Sequence, residues 1–165
     1  AKTDEEAAIT RPAVVDPVAP QAAATDQASA PRGRSTIGIL LVDDHAMVRQ
    51  GLRSMLENYS DVAVVGEASD GNEAILSVER LRPTVVVMDI NMPNTNGIDA
   101  TAEIKSRHPH ITVIGLSVQN TGEAREAMLH AGATALLSKE AAVDELYEAI
   151  RQALTDEQPR CGATP

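Results

Sequence analysis

The stretch Thr84-Val85-Val86-Val87-Met88-Asp89-Ile90-Asn91-Met92-Pro93-Asn94-Thr95-Asn96-Gly97 decides how the whole chain is organised. Four of the five residues before Asp89 are apolar and most are β-branched, the composition of a short strand buried on both faces. The run stops at a charge. Asn, Pro and Gly in the next eight residues spell an irregular loop, and a helical pattern resumes at Gly97. A carboxylate at the carboxyl end of a buried parallel strand stands at the rim where open α/β sheets bind their ligands. Taken alone, Asp89 is equally well a cap for the next helix or the start of a turn.

Working outward, the same pattern recurs on both sides. Thr36-Ile37-Gly38-Ile39-Leu40-Leu41-Val42 is a second β run, and it ends in Asp43-Asp44 before a helical pattern. Ile111-Thr112-Val113-Ile114-Gly115-Leu116 ends in Ser117, and Ala135-Leu136-Leu137-Ser138 ends in Lys139. Strands are expected at 36–42, 61–68, 84–89, 111–117 and 133–138. Helices are expected at about 45–58, 71–81, 97–107, 121–131 and 140–154, with Pro83 and Pro109 stopping the second and third and Gly132 closing the fourth. The last helix carries Val143, Leu146, Ile150 and Leu154 at core spacing. Five strands alternating with five helices require right-handed crossovers, hence a doubly wound α/β sheet. In a parallel sheet the polar groups that end four of these strands converge at one edge.

Composition narrows the function classes. The 165 residues are 43% hydrophobic but only 1% aromatic, with neither Phe nor Trp, so the core is built from Val, Ile, Leu, Ala and Met. Net charge is -10, of which the first 35 residues carry -1. Acidity therefore belongs to the folded part, which speaks against direct nucleic-acid binding, since that requires phosphate-neutralising Lys and Arg. No apolar run approaches the length of a membrane span, so no membrane contact is expected of this segment. The single Cys161 suits a reducing, cytoplasmic compartment. Residues 1–35, rich in Ala and Pro without a sustained period, are expected to form a disordered linker with another domain before it, and 155–165 a flexible tail. The first strand leads into Asp43-Asp44-His45 where a dinucleotide-binding fold would have glycines, so a nucleotide binder is disfavoured.

Each polar residue has a plain reading by itself. Asp43 or Asp44 could cap a helix, Ser117 could belong to a turn, and Lys139 could be a solvated charge. His45 is expected at the surface or the helix start, His108-Pro109-His110 in a loop, and Met47, Met55, Met88, Met92 and Met128 as core or loop filler.

The set as a whole is far more specific. Val42-Asp43-Asp44-His45, Met88-Asp89-Ile90-Asn91-Met92-Pro93 with Asn96-Gly97, Leu116-Ser117, and Gly132-Ala133 ahead of Leu137-Ser138-Lys139 resemble the motifs of a response-regulator receiver domain, CheY-like, over residues 36–154. The resemblance implies a flavodoxin-like (βα)5 fold with strand order 2-1-3-4-5. It implies that Asp89 accepts a phosphoryl group from a phosphohistidine, and that Asp43, Asp44, Asp89 and the backbone carbonyl of Asn91 hold Mg²⁺. It implies further that Ser117 and Lys139 turn toward the phosphoryl group, and that the domain catalyses its own phosphorylation and dephosphorylation. The implied partner is a histidine kinase or a histidine phosphotransfer protein, with room for a weak homodimer. Elementary electrostatics agrees: two carboxylates about 4 Å apart repel by roughly 4 kcal/mol at an effective dielectric near 20, so three of them invite a cation.

Three positions depart from the family's usual wording. Leu136 stands where an aromatic residue often swings, Glu140 replaces the Pro that often follows the Lys, and Val118 is bulkier than the small residue common there. The tether in front and the wording around Ser117 and Lys139 resemble the C-terminal receiver of a hybrid histidine kinase. The alternatives are the receiver of a NarL/FixJ-type transcriptional regulator, whose DNA-binding helices would follow, and, from another class, an Mg²⁺-dependent phosphohydrolase.

Overall fold

The structure is a computed structural model and describes residues 35–119 and 121–156. Five strands and five helices alternate along the chain, as the apolar runs predict. The order is β1 (Ile37–Val42), α1 (Ala46–Leu56), β2 (Val62–Ala68), α2 (Gly71–Leu81), β3 (Val85–Asp89), α3 (Gly97–Arg107), β4 (Thr112–Ser117), α4 (Gly122–His130), β5 (Ala135–Ser138) and α5 (Lys139–Asp156). The strands form one parallel sheet in the order β2-β1-β3-β4-β5.

Side chains on a strand alternate between faces, and the central strands use both faces for core. Ile39, Leu41, Val85, Val87, Ile114 and Leu116 pack against Leu52 and Leu56 of α1 and Leu146 and Ile150 of α5. Leu40, Val42, Val86 and Met88 turn the other way, onto Ala74 and Val78 of α2, Ala100 and Ile104 of α3, and Met128 of α4. Each large aliphatic side chain buried in this way contributes about 1.5–3 kcal/mol relative to exposure.

Helix ends are set by local chemistry. The Asp70 carboxylate accepts from Glu73 N at 2.9 Å, while Glu73 reaches back to accept from Ser69 N at 2.7 Å, a reciprocal cap for α2. Asn96 accepts from Ile98 N at 2.8 Å and Asp99 N at 2.9 Å, and so starts α3 directly after the loop that follows Asp89. Gly132, at φ +100, supplies the left-handed residue just beyond α4.

Three expectations need correction. Val143 is 58% exposed, and the buried stripe of α5 is Ala142, Leu146, Ile150 and Ala153. Ala142 lies one residue round the helix from Val143, and its small side chain lets α5 settle onto the sheet, an option hidden when only large residues are counted. Met47 is 80% exposed and fills no core. Helix α5 runs on through Thr155 and Asp156, two residues into the expected tail. The remainder of that tail, and residues 1–34 of the linker expected at 1–35, lie outside the described residues.

Candidate functional site

Strand register assembles the site. Val42 pairs with Met88 across β1 and β3, so the next residues, Asp43 and Asp89, emerge side by side at the carboxyl edge of the sheet. Ser117 pairs with Ser138 across β4 and β5, so Lys139 enters α5 one step beyond Ser117. Asp43 is 1% exposed and Asp89 fully buried, positions that carboxylates take only when paired or coordinated.

Lys139 supplies part of that pairing. Its Nζ lies 2.7 Å from Asp89 Oδ2, donating a hydrogen bond, and 2.7 Å from Asp43 Oδ2 as an ion pair off the hydrogen-bond angle. Burial alone would lower the pKa of this ammonium, but the close polar contacts and charges of Asp43 and Asp89 outweigh it and hold the pKa above the ordinary lysine value. Asp89 Oδ1 accepts from Asn91 N at 3.0 Å, which folds the loop back over the carboxylate. Asp43 Oδ1 accepts from His45 N at 2.8 Å.

One ammonium among three carboxylates leaves excess negative charge. Donor atoms of Asp43, Asp44, His45 and Asp89 all lie within 4.8 Å of one another. Asp43 Oδ2 and Asp44 Oδ1 are buried oxygens without a hydrogen-bond donor. Each meets one nitrogen only, Lys139 Nζ for Asp43 Oδ2 and His45 Nδ1 for Asp44 Oδ1, which leaves lone pairs that a hard divalent cation can share. The donor set therefore fits a metal ion on the chemistry of these residues.

Ser117 stands apart from this constellation. It is buried at the end of β4, but its Oγ donates to Gln119 O at 2.6 Å and accepts from Gln119 N at 3.2 Å, closing a turn in the loop before α4. Together with Ile90, Asn91, Val118, Gln119, Thr121 and Ala124 it lines a cleft beside Asp89. Val118 is 68% exposed at the edge of that cleft. Leu136 is buried within the α2–α3–α4 side of the core, where Gly115 leaves room for it: a Cβ on Gly115 would meet Leu136 Cδ1 and Met128 Cε at 2.7 Å each.

His45 is at the helix start, as expected, and its ring also comes against the acidic pair, with Nδ1 2.9 Å from Asp44 Oδ1 and 3.2 Å from Asp43 Oδ1. His108 and His110 occupy the junction after α3 with their rings edge to face, 6.1 Å between centroids.

Two supports escape sequence reasoning. Arg49 donates from Nη1 to Asp43 O at 2.6 Å and from Nε to Glu67 Oε2 at 2.9 Å, and Arg53 Nε holds the other Glu67 oxygen at 2.8 Å. This ties the acidic loop to α1 and β2. The contact between Arg49 and Glu67 spans 18 residues and leaves no local signal. Gly97 is the second: a Cβ there would overlap the Asp89 carbonyl oxygen, so only glycine lets α3 begin this close to the loop.

Fold and rim together define a doubly wound α/β domain whose carboxyl edge gathers three acids and a lysine. The chain belongs to the response regulator receiver domain family, whose model matches residues 39–151. It is 39% identical over 115 residues to the response regulator GacA of Pseudomonas protegens, covering 70% of this chain and 54% of that protein. It is 36% identical over 115 residues to the transcriptional regulatory protein DegU of Brevibacillus brevis, covering 70% of this chain and 49% of that one. Among solved structures, a two-component response regulator of the LuxR family from Aurantimonas superposes with a TM-score of 0.71 at 34% identity, over 74% of this chain and 87% of that one. The chain thus spans about half the length of the curated relatives it matches. Among the described residues, no helix is long and apolar enough to cross a membrane.

Proposed function

We propose that this chain is a phospho-accepting receiver of a bacterial two-component system, taking a phosphoryl group from a phosphohistidine onto Asp89. The observation that carries it is the meeting of Asp43, Asp89 and Lys139, with Nζ 2.7 Å from both carboxylates. An Asp89 carboxylate oxygen forms the bond to phosphorus while the phosphorus–nitrogen bond of the donor breaks and its electron pair returns to the imidazole. Little covalent chemistry is required of the protein, because phosphoryl transfer rests on positioning and charge stabilisation. Lys139 offsets charge on the incoming oxygens, and Asn91 N–H steadies the nucleophile. Asp43, Asp44, Asp89 and the Asn91 carbonyl would hold Mg²⁺, which supplies further charge neutralisation when bound. The same residues serve self-catalysed hydrolysis of the acyl phosphate.

In this reading Ser117 leaves its turn with Gln119 and moves to the phosphoryl group, shifting a two-state equilibrium carried by α4, β5 and α5. The donor is a histidine kinase or histidine phosphotransfer protein, and the site of action is the cytoplasm. The receiver domain is bounded at about residues 36–154, with the last helix reaching Asp156. For the parent protein, relatives called response regulators and a transcriptional regulatory protein favour a NarL/FixJ-type regulator over a hybrid histidine kinase. A phosphohydrolase is disfavoured by the separation of the Asp43-Asp44 pair from Asp89 in the chain.

The test is labelling with Mg²⁺ and a small phosphodonor. The wild type gains one acid-labile phosphoryl group and Asp89→Asn gains none; unchanged labelling of the variant removes Asp89 as acceptor.

A further inference from the structure

We propose that Arg49 is a positioning residue for this site: by holding the Asp43 carbonyl it sets the direction in which Asp44 presents its carboxylate. The inference rests on the receiver chemistry proposed above and adds to it a residue that acts only through the acidic pair.

The two acids of the pair are held unequally. The Asp43 side chain is 1% exposed, its carboxylate meets Lys139 and the His45 N–H, and its own N–H donates to Ala68 O at 3.1 Å. The Asp44 side chain is 26% exposed, and among the described residues its carboxylate meets only the His45 imidazole, itself 63% exposed. A side chain so loosely tethered takes its direction from its backbone, and hence from the Asp43–Asp44 peptide plane. Both ladders of β1 end at Val42, so the Asp43 carbonyl has no strand partner to fix that plane.

Arg49 supplies the partner. From the first turn of α1 its Nη1 donates to Asp43 O at 2.6 Å, while its Nε donates to Glu67 Oε2 at 2.9 Å. A planar guanidinium carries its donors in a rigid fork and serves both acceptors at once, which the point charge of a lysine does not reproduce. Glu67 is anchored in turn, since it lies opposite Leu41 in the sheet and its other oxygen is held by Arg53 Nε at 2.8 Å. The carbonyl is thus tied through two side chains to β2. Arg53 shares Glu67 but, among the described residues, does not reach Asp43.

Charge alone points the other way. A guanidinium near a cation site repels the cation, so deleting it should tighten Mg²⁺ binding if only the field matters. If Arg49 orders a ligand, deleting it weakens binding, because the ion must then immobilise Asp44 itself. The sign of the change therefore separates positioning from electrostatics.

The experiment is calorimetric titration of the wild type, Arg49→Met and Arg53→Met with Mg²⁺, beside denaturant unfolding of each in chelator. Both substitutions keep an apolar stem and remove one charge and one contact to Glu67. Loss of a group that supports a metal ligand commonly costs 10- to 100-fold in affinity, so Arg49→Met should weaken Mg²⁺ by about tenfold, while Arg53→Met stays within about twofold of wild type or binds tighter. Labelling of Asp89 by a small phosphodonor should then need about tenfold more Mg²⁺ in Arg49→Met, yet reach a rate within about twofold of wild type once the ion saturates. General destabilisation does not produce that split. Mg²⁺ affinity in Arg49→Met equal to or tighter than wild type overturns the assignment. Equal weakening by Arg53→Met overturns it too, since the loss would then belong to Glu67. Where Arg49→Met is too unstable to titrate, Arg49→Lys keeps the charge without the fork, and wild-type affinity in that variant overturns the assignment as well. A wild type that binds no Mg²⁺ overturns the cation site of the proposed function, and this inference with it.

Discussion

Lys139 Nζ and Asp89 Oδ2 stand 2.7 Å apart although fifty positions separate them in the chain, and the same ammonium touches Asp43. The lysine is the internal counter-charge of a pocket that gathers three carboxylates. Removing it leaves two buried anions facing each other. Breaking a buried pair by deleting one partner costs about 3–5 kcal/mol in general, and the partial exposure of Lys139 puts Lys139→Ala at the low end, near 3 kcal/mol. Denaturant unfolding in chelator should show this loss, and Mg²⁺ should recover part of it. A variant as stable as wild type in chelator would remove Lys139 from this role.

Mg²⁺ itself should stabilise the wild type by binding only the folded state. At a free concentration one hundred times its dissociation constant the gain is about 2.7 kcal/mol. Melting curves that coincide in chelator and in saturating Mg²⁺ would speak against the cation site.

Gly97 and Gly51 make a matched pair. Gly97→Ala drives a Cβ into the Asp89 carbonyl, whereas a Cβ on Gly51 meets nothing within 4 Å. Overpacking of this kind costs typically 1–3 kcal/mol and here displaces the loop that carries Asn91. Gly51→Ala, in the exposed interior of α1, should stabilise by about 0.5–1 kcal/mol through helix propensity alone. Chemical denaturation of both variants should therefore give shifts of opposite sign, and phosphorylation should suffer only in Gly97→Ala.

Glu67 links stability to pH. Its hydrogen bonds from Arg49, then from Arg53, and the two guanidinium charges outweigh burial and hold its pKa below the ordinary 4.5. A depressed carboxylate contributes stability that is full above the unfolded value and is lost as pH falls through the folded one. Wild type should exceed Glu67→Gln by about 1 kcal/mol at neutral pH, solvent reaching roughly a third of the side chain. The difference should shrink below pH 4.5. A gap that persists unchanged in acid would mean the pair contributes through packing and not charge.

Ser117→Ala removes the turn hydrogen bonds to Gln119. Since both are local, the loss should be about 1 kcal/mol. Phosphorylation of Asp89 should persist while the response of α4 to it weakens, visible as smaller phosphorylation-dependent amide shifts along α4. Shifts of wild-type size would remove Ser117 from the switch.

Much of this was legible in the chain. Val85–Met88 and the other aliphatic runs announce strands because a period of two, with both phases apolar, has no other comfortable solution. Pro83, Asn96 and Gly132 punctuate the helices through φ restrictions and caps that act within a few residues. Even the convergence of Asp43, Asp89 and Lys139 follows once the strands are parallel, since each closes its own strand at the same end.

What the sequence by itself determined is therefore everything governed by short-range rules: the number and type of elements, their ends, and which residues stand at the carboxyl edge. Tertiary structure alone decided the contacts that depend on how elements meet. It chose Ala142 over Val143 as the buried residue, tied Arg49 to Glu67 across 18 positions, and seated Ser117 on Gln119 instead of at Asp89. It also brought the Gly97 α-carbon against a carbonyl and the His45 ring against two carboxylates. The physical reason is one of range: propensity and periodicity are properties of neighbours in the chain, whereas close packing and charge act between neighbours in space.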